Sequence, residues 1–316
     1  WSHHMFATGM GPIADASFGV LTLLIAIPTG VKIFNWIGTI WGGSIQMKTP
    51  MYFALGFIAM FIIGGLSGVM HAAVPADLQQ TDTYFVVAHF HYVLFGGSIF
   101  AIMAGAYFWI PKMFGFMLRE SIGKLQFWLM FIGFNVTFFP MHLLGLHGMP
   151  RRVYTYPEGL GFEFWNQVET AGSFLLGLSF LVFIWNVIVS KRSGEPAPAD
   201  PWNGATLEWS IPSPPQEFNF PVIPEVRARD ALWQMKRAAG GSLPEPERVN
   251  GDHIHLPNPS IKPLITAMGI GVFFIGFLLG RVWPMPASMT INLPIIVIGF
   301  AITIYGIFSW AFEPPE

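Results

Sequence analysis

The chain has no cysteine among its 316 residues. Disulfides, thiolate zinc sites and iron–sulfur clusters are thereby excluded, and any metal must be held by the nine histidines, by carboxylates or by methionine. Charge is scarce as well: 11% of residues are Asp, Glu, Lys or Arg, where a soluble domain carries roughly 25%. That scarcity argues against an ordinary soluble enzyme. Sixteen Lys and Arg against eighteen Asp and Glu leave a formal net charge of −2, so no basic field exists for a nucleic-acid partner. What is abundant is apolar: 53% hydrophobic residues, with 31 Phe and 12 Trp, and a mean hydropathy of +0.53. Lipid-facing helices with rings at the membrane–water boundary have this composition.

Seven apolar stretches lie near 15–38, 51–74, 85–109, 124–146, 167–189, 263–281 and 291–311. Each is about 20 residues, the length that ~30 Å of hydrocarbon requires. The expected fold is an all-α membrane protein, a polytopic transmembrane helix bundle with about seven spans. Its expected parts are a core of about five spans over 1–192, a Pro-rich connection over 193–261, and two additional transmembrane helices over 262–316. Residues 191–260 hold 12 of the 26 prolines and 16 of the 34 charged residues, which reads as a water-exposed, mostly irregular connection. The chain opens on Trp1 with no signal-peptide pattern, and is read as a fragment.

Loop charges set the expected orientation. One side holds Lys48, Lys112, Arg119, Lys124, Lys191, Arg192, Arg227, Arg229, Lys236, Arg237, Arg248 and Lys262; the other holds only Arg151, Arg152 and Arg281. The first side is therefore cytoplasmic, with the C-terminus inside and His3 and His4 outside.

Several polar residues sit where a bilayer makes them costly. Lys32, in IPTGVK, lies within the first span, where insertion of a mid-membrane Lys costs about 2.5 kcal/mol or more. Snorkelling to the cytoplasmic end is one reading; a step in a proton path, with Thr29 beside the Pro28 break, is the other. In TDTYFVVAHFHYV, His89 and His91 are two residues apart, a turn of about 200° on a helix. They leave opposite faces and cannot share one metal, but they suit a helix with a haem iron on each side, since imidazole is a common axial ligand. The alternative is a pair of hydrogen-bonded core histidines.

The adjacent His3 and His4 suit one ion in a terminal turn, copper by preference, or an exposed loop. Arg151 and Arg152 offer two guanidiniums on the outer side, for carboxylates or simply for the membrane interface. Asp77 and Asp82 precede the His pair, either as loop caps or as metal or carboxylate-site contacts. His71 and His142 are expected to be structural, and His147, His253 and His255 to lie in loops.

The segments WSHHMFATGM, IPTGVKIFNW, TDTYFVVAHFHYVLFGGSIFAIMAG and FFPMHLLGLHGMPRRVYTYP, in this order from residue 2 to about 156, resemble the C-terminal part of subunit I in the haem-copper oxidase superfamily, in its aa3-type cytochrome c oxidase branch. The resemblance implies that His3 and His4 are two of three copper ligands, that His89 is the proximal ligand of the high-spin haem, and that His91 is an axial ligand of the low-spin haem. It further implies that Lys32 and Thr29 belong to a proton pathway, that Arg151, Arg152 and Asp77 serve the haem propionates, and that Asp82 is a magnesium ligand. The family places His directly before that Asp, whereas this chain has Thr81, so a magnesium site is expected to be weak.

Two haems, of the A type, and copper are the implied cofactors. The third copper ligand, its cross-linked tyrosine and the second low-spin haem ligand would lie upstream of Trp1. The implied activity is reduction of dioxygen to water with electrons from cytochrome c, coupled to proton translocation, in a bacterial cytoplasmic membrane. The implied partners are other oxidase subunits, including a copper-bearing subunit II, and the lipid bilayer. A quinol oxidase of the same superfamily would share nearly all these motifs. A non-redox transporter would use Lys32 and the arginine pair for a substrate ion instead.

Overall fold

The computed structural model describes residues 1–251, 254, 259–279 and 291–314, so His253, His255 and Arg281 lie outside the described residues. Among the described residues the regular structure is helical: α1 (Pro12–Ile40), α2 (Thr49–Ala72), α3 (Val74–Gln80), α4 (Tyr84–Leu94), α5 (Phe100–Phe114), α6 (Glu120–Phe138), α7 (Pro140–Leu146), α8 (Glu163–Ser193), α9 (Ala231–Ala238), α10 (Lys262–Leu278) and α11 (Leu293–Ala311). Among the described residues six helices, counting α4–α5 and α6–α7 as continuous, are long and apolar enough to cross a membrane; α10, at 17 residues, is shorter. The expected sixth span, 263–281, ends among residues outside the described ones.

The helix ends follow elementary chemistry. Pro12 and Pro50 sit in the first turns of α1 and α2, where a missing N–H costs nothing. The start of α2 is capped across the fold: Thr49 N and Oγ1 donate to the Glu120 carboxylate at 3.1 and 3.0 Å, placing negative charge at the positive end of the helix. Thr83 caps α4 by accepting from Phe85 N. Between α4 and α5, Phe95–Ile99 form one π-helical turn, a distortion that recurs near functional sites. Pro28 lies inside α1 and leaves the Leu24 carbonyl without its helix donor. The Thr29 hydroxyl bonds the next carbonyl, Ile25 O, at 2.8 Å, so it does not restore that loss.

Two compact units divide at Arg248–Val249. The first has an aromatic core drawn from α2, α4, α5 and α6, including Phe53, Tyr92, Phe100, Phe127 and Phe134. The Phe53 and Phe127 rings meet edge-on at 5.2 Å. Lipid removes most of the hydrophobic drive between helices, so close packing and interhelical hydrogen bonds carry the association. Tyr92 Oη donates to Asn135 Oδ1 at 2.7 Å, and Asn186 Nδ2 to Tyr107 Oη at 3.3 Å.

The Pro-rich stretch is largely irregular, as expected, yet its part up to Arg248 belongs to the first unit and is not a loose connection. Lys112, counted from sequence as a loop charge, is 5% exposed at the end of α5. Its ammonium donates to Ala199 O at 2.8 Å and Ile211 O at 2.6 Å. Trp202 Nε1 donates to Phe108 O, and the two rings stack at 5.7 Å. Lys236, equally buried, pairs with Asp200 and donates to Gly204 O. Buried ammonium groups need such partners, so prolines and charges here mark a fastened segment.

The second unit, described by itself, is a hairpin of α10 and α11. A Cβ at Gly269 would meet the Thr303 backbone, and one at Gly299 the Phe273 backbone. Small residues let two apolar helices approach closely without a hydrophobic drive.

Candidate functional site

A cavity of about 570 Å³ opens between α1 and α2 and reaches the start of α4, within the size range of cofactor sites. Eight of the residues singled out from sequence line it: His3, His4, Thr29, His71, Asp77, Thr81, His89 and Arg151. A larger cavity of about 780 Å³ lies among Lys48, Trp109 and Trp202. Lys48 is its one titratable lining residue, so the chemistry belongs to the smaller space.

His89 is built into the wall of this cavity by α2. Its Nδ1 stands 3.0 Å from Gly64 O and 2.9 Å from Ser67 Oγ, and Ser67 itself donates to Gly64 O. A proton on Nδ1 directed at the carbonyl leaves Nε2 as a free electron pair, the tautomer that a metal ligand needs. Glycine makes this approach possible: a Cβ at Gly64 would lie 2.8 Å from Val93 N, and one at Gly68 3.0 Å from His89 Cε1. Gly30 on α1 and Gly65 on α2 line the cavity with open space before them. That leaves room for a flat ring system.

His91 leaves the other side of α4. Its Nδ1 bonds Val87 O at 2.8 Å, and its ring stacks on Phe138 at 4.1 Å with an interplanar angle of 14°. The two imidazoles are thus on opposite faces, as the 200° turn requires.

At one end of the cavity, the Ser2–His4 turn brings the His3 and His4 rings to 4.1 Å between centroids. Partial burial, more than the charges around them, holds both imidazoles below their ordinary pKa, while Asp77 pulls the other way. They therefore stay neutral, and able to bind metal, to lower pH than free histidine. Among the described residues no group of three or more His, Asp or Glu could hold a metal ion; two adjacent imidazoles would need a further ligand.

Asp82 does not face this cavity. Its Oδ1 accepts from Arg151 Nε at 2.9 Å and lies 2.7 Å from Arg151 Nη2 and 3.6 Å from Arg152 Nη1. Backbone bonds from Arg151 N to Asp82 O and from Tyr84 N to Met149 O zip the two loops together. Lys32 is exposed on α1, 5.6 Å from the Trp36 ring, and does not line the cavity. Sequence reasoning missed Ser67 and the Gly64 carbonyl as anchors of His89; the small-residue run Gly64-Gly65-Leu66-Ser67-Gly68 inside a span was the available signal. His71, expected to be structural, also lines the cavity.

Comparison with known proteins shows the family of the chain. Residues 1–175 match the profile of the family described as cytochrome C and quinol oxidase polypeptide I. The chain is 51% identical over 304 residues to cytochrome c oxidase subunit 1 of Bacillus subtilis, covering 96% of this chain and 48% of that protein. It is 44% identical over 286 residues to quinol oxidase subunit 1 of the same organism, covering 90% of this chain and 44% of that one. It spans about half the length of the curated relatives it matches. A haem-copper terminal oxidase dimer solved by cryo-EM shares the fold, with a TM-score of 0.51 at 16% identity over 74% of this chain and 44% of that one. The chain, an integral membrane protein, therefore belongs to the cytochrome c and quinol oxidase polypeptide I family.

Proposed function

We propose that this chain is part of the catalytic subunit of a respiratory terminal oxidase that reduces dioxygen to water with electrons from cytochrome c and couples this to proton translocation. The observation that carries the reading is the single cavity on which His3, His4 and a backbone-anchored His89 converge. Two haems, of the A type, and a copper ion would supply the redox chemistry. His89 would hold the high-spin haem iron through Nε2, His91 the low-spin haem iron on the opposite face, and His3 with His4 the copper. The fit rests on the anchored Nδ1 of His89 and on the open space before Gly30 and Gly65. Magnesium is left out: Thr81 offers a hydroxyl where an imidazole would serve better, and Asp82 is already paired with Arg151.

Thr29, which lines the cavity, would lead protons along α1 into it, with Lys32 one turn nearer the cytoplasmic end. Arg151 at the outer end, with Arg152 beside it, would orient the haem carboxylates, and Asp77 lies in the same region. The excess of Lys and Arg on one side supports a C-terminus on the cytoplasmic face of a bacterial membrane. We take 1–192 as the catalytic core, 193–261 as its cytoplasmic connection and 262–316 as two additional transmembrane helices. A copper-bearing subunit II and cytochrome c are the proposed partners. The greater identity to a cytochrome c oxidase than to a quinol oxidase favours that donor.

A reduced-minus-oxidised spectrum of the complete enzyme tests the reading. High-spin and low-spin haem bands, with turnover on reduced cytochrome c, are expected. Bands with turnover on quinol alone would move the protein to the other branch, and absence of haem bands would overturn the proposal.

A further inference from the structure

His71 closes α2 at the outer end of the cavity and is 9% exposed. Its ring meets His89 edge-on at 5.0 Å between centroids and Phe85 at 5.3 Å, so the imidazole is held by its neighbours. Among the described residues neither ring nitrogen has a hydrogen-bond partner. Nδ1 is 3.3 Å from Asp77 Oδ1, close enough for attraction but outside hydrogen-bond geometry. A buried imidazole without partners costs free energy unless something supplies them.

The surroundings indicate what that something is. Asp77, 6% exposed, places a carboxylate on the same wall. Arg151, the cation lining this end, already directs Nε and Nη2 at Asp82. Resting on the reading of this cavity as a haem site, we propose that His71 is a positioning residue that hydrogen-bonds the carboxylate edge of the haem held by His89. A haem brings two carboxylates of its own, and near Asp77 these would repel one another. In either tautomer His71 offers one N–H to this cluster of acids, and its edge contact with His89 couples that carboxylate edge to the iron-holding ring.

The test uses the complete enzyme carrying His71→Leu, His71→Phe or His71→Gln. Three readouts are taken: haem content, the midpoint potential of each haem, and the carboxylate bands in redox difference infrared spectra. Removing a donor beside a carboxylate leaves more negative charge near the iron and disfavours its reduction. The Leu variant should keep both haems, weaken the high-spin reduction equilibrium by about threefold, a part of the worth of a hydrogen bond to a charged group because the bond persists in both oxidation states, and shift the carboxylate bands. The low-spin potential should not move, and Gln, which retains an N–H, should restore most of the change. His71→Phe preserves the ring contacts and decides the matter where the Leu variant does not assemble. Unchanged high-spin potential and carboxylate bands in an apolar variant, or a Gln variant displaced as far as Leu, would overturn the proposal. A wild-type enzyme without a high-spin haem would instead sink the underlying haem assignment.

Discussion

On one side of α4, His89 faces Gly64, Ser67 and Gly68 across a narrow gap and looks into open space. Two residues along, on the other side, His91 lies flat against Phe138, which belongs to an aromatic cluster with Phe95 and Phe134. The same residue type on the same helix is thus anchored by backbone and hydroxyl on one face and by ring stacking on the other. A histidine's role follows from what limits its ring, more than from the span it occupies. On the His89 side the limit is directional, because a carbonyl fixes which nitrogen is free. On the His91 side it is steric, since a stacked ring fixes the plane while Val87 O takes Nδ1.

Removing each ring in turn in the complete enzyme should have the largest effects. His89→Ala should erase the high-spin haem component and lower turnover by about 100-fold or more, beyond the usual penalty for losing a group that only orients a metal ligand. His91→Ala should erase the low-spin component and leave ligand binding at the high-spin haem. Loss of the same spectral component in both variants would show that the two faces do not serve two haems.

Packing should differ between the faces as well. Gly64→Ala drives a methyl group into the backbone of Tyr92 and Val93 and should cost about 1–3 kcal/mol, the usual price of overpacking. Phe138→Leu only thins the stack and should cost about 1 kcal/mol. Thermal unfolding of the purified complex, followed by helical signal, would rank the two; a reversed order would mean that α2 can shift away from α4 at no cost.

The smallest effect is expected at Ser67. Ser67→Ala removes the 2.9 Å contact to His89 Nδ1 but keeps Gly64 O at 3.0 Å, so the tautomer persists. Turnover should fall by about threefold or less, within the worth of one neutral hydrogen bond. A loss as large as that of His89→Ala would show that the hydroxyl, and not the carbonyl, sets the tautomer.

Much of this was legible in the sequence. Apolar runs of spanning length are local, and the angle between His89 and His91 follows from helix geometry alone. Other features were hidden because they depend on partners far along the chain. Nothing near Lys112 announces that its ammonium is buried against Ala199 and Ile211, and nothing near Asp82 announces Arg151. The packing of the Pro-rich stretch was hidden for the same reason: proline and charge report local backbone preference and solvation, not whether a tryptophan such as Trp202 is later stacked on Phe108.

Composition and periodicity by themselves determined that the chain spans a membrane with helices, and the spacing of His89 and His91 determined that they diverge, because both are properties of a single segment in a uniform solvent. Packing between helices set the rest: that His89 is tethered to Gly64, that His71 lines the same cavity without a hydrogen bond among the described residues, and that Lys32 is exposed on α1. Those outcomes depend on how closely α2 approaches α4 and on which face of α1 meets the bundle, distances that no single segment contains.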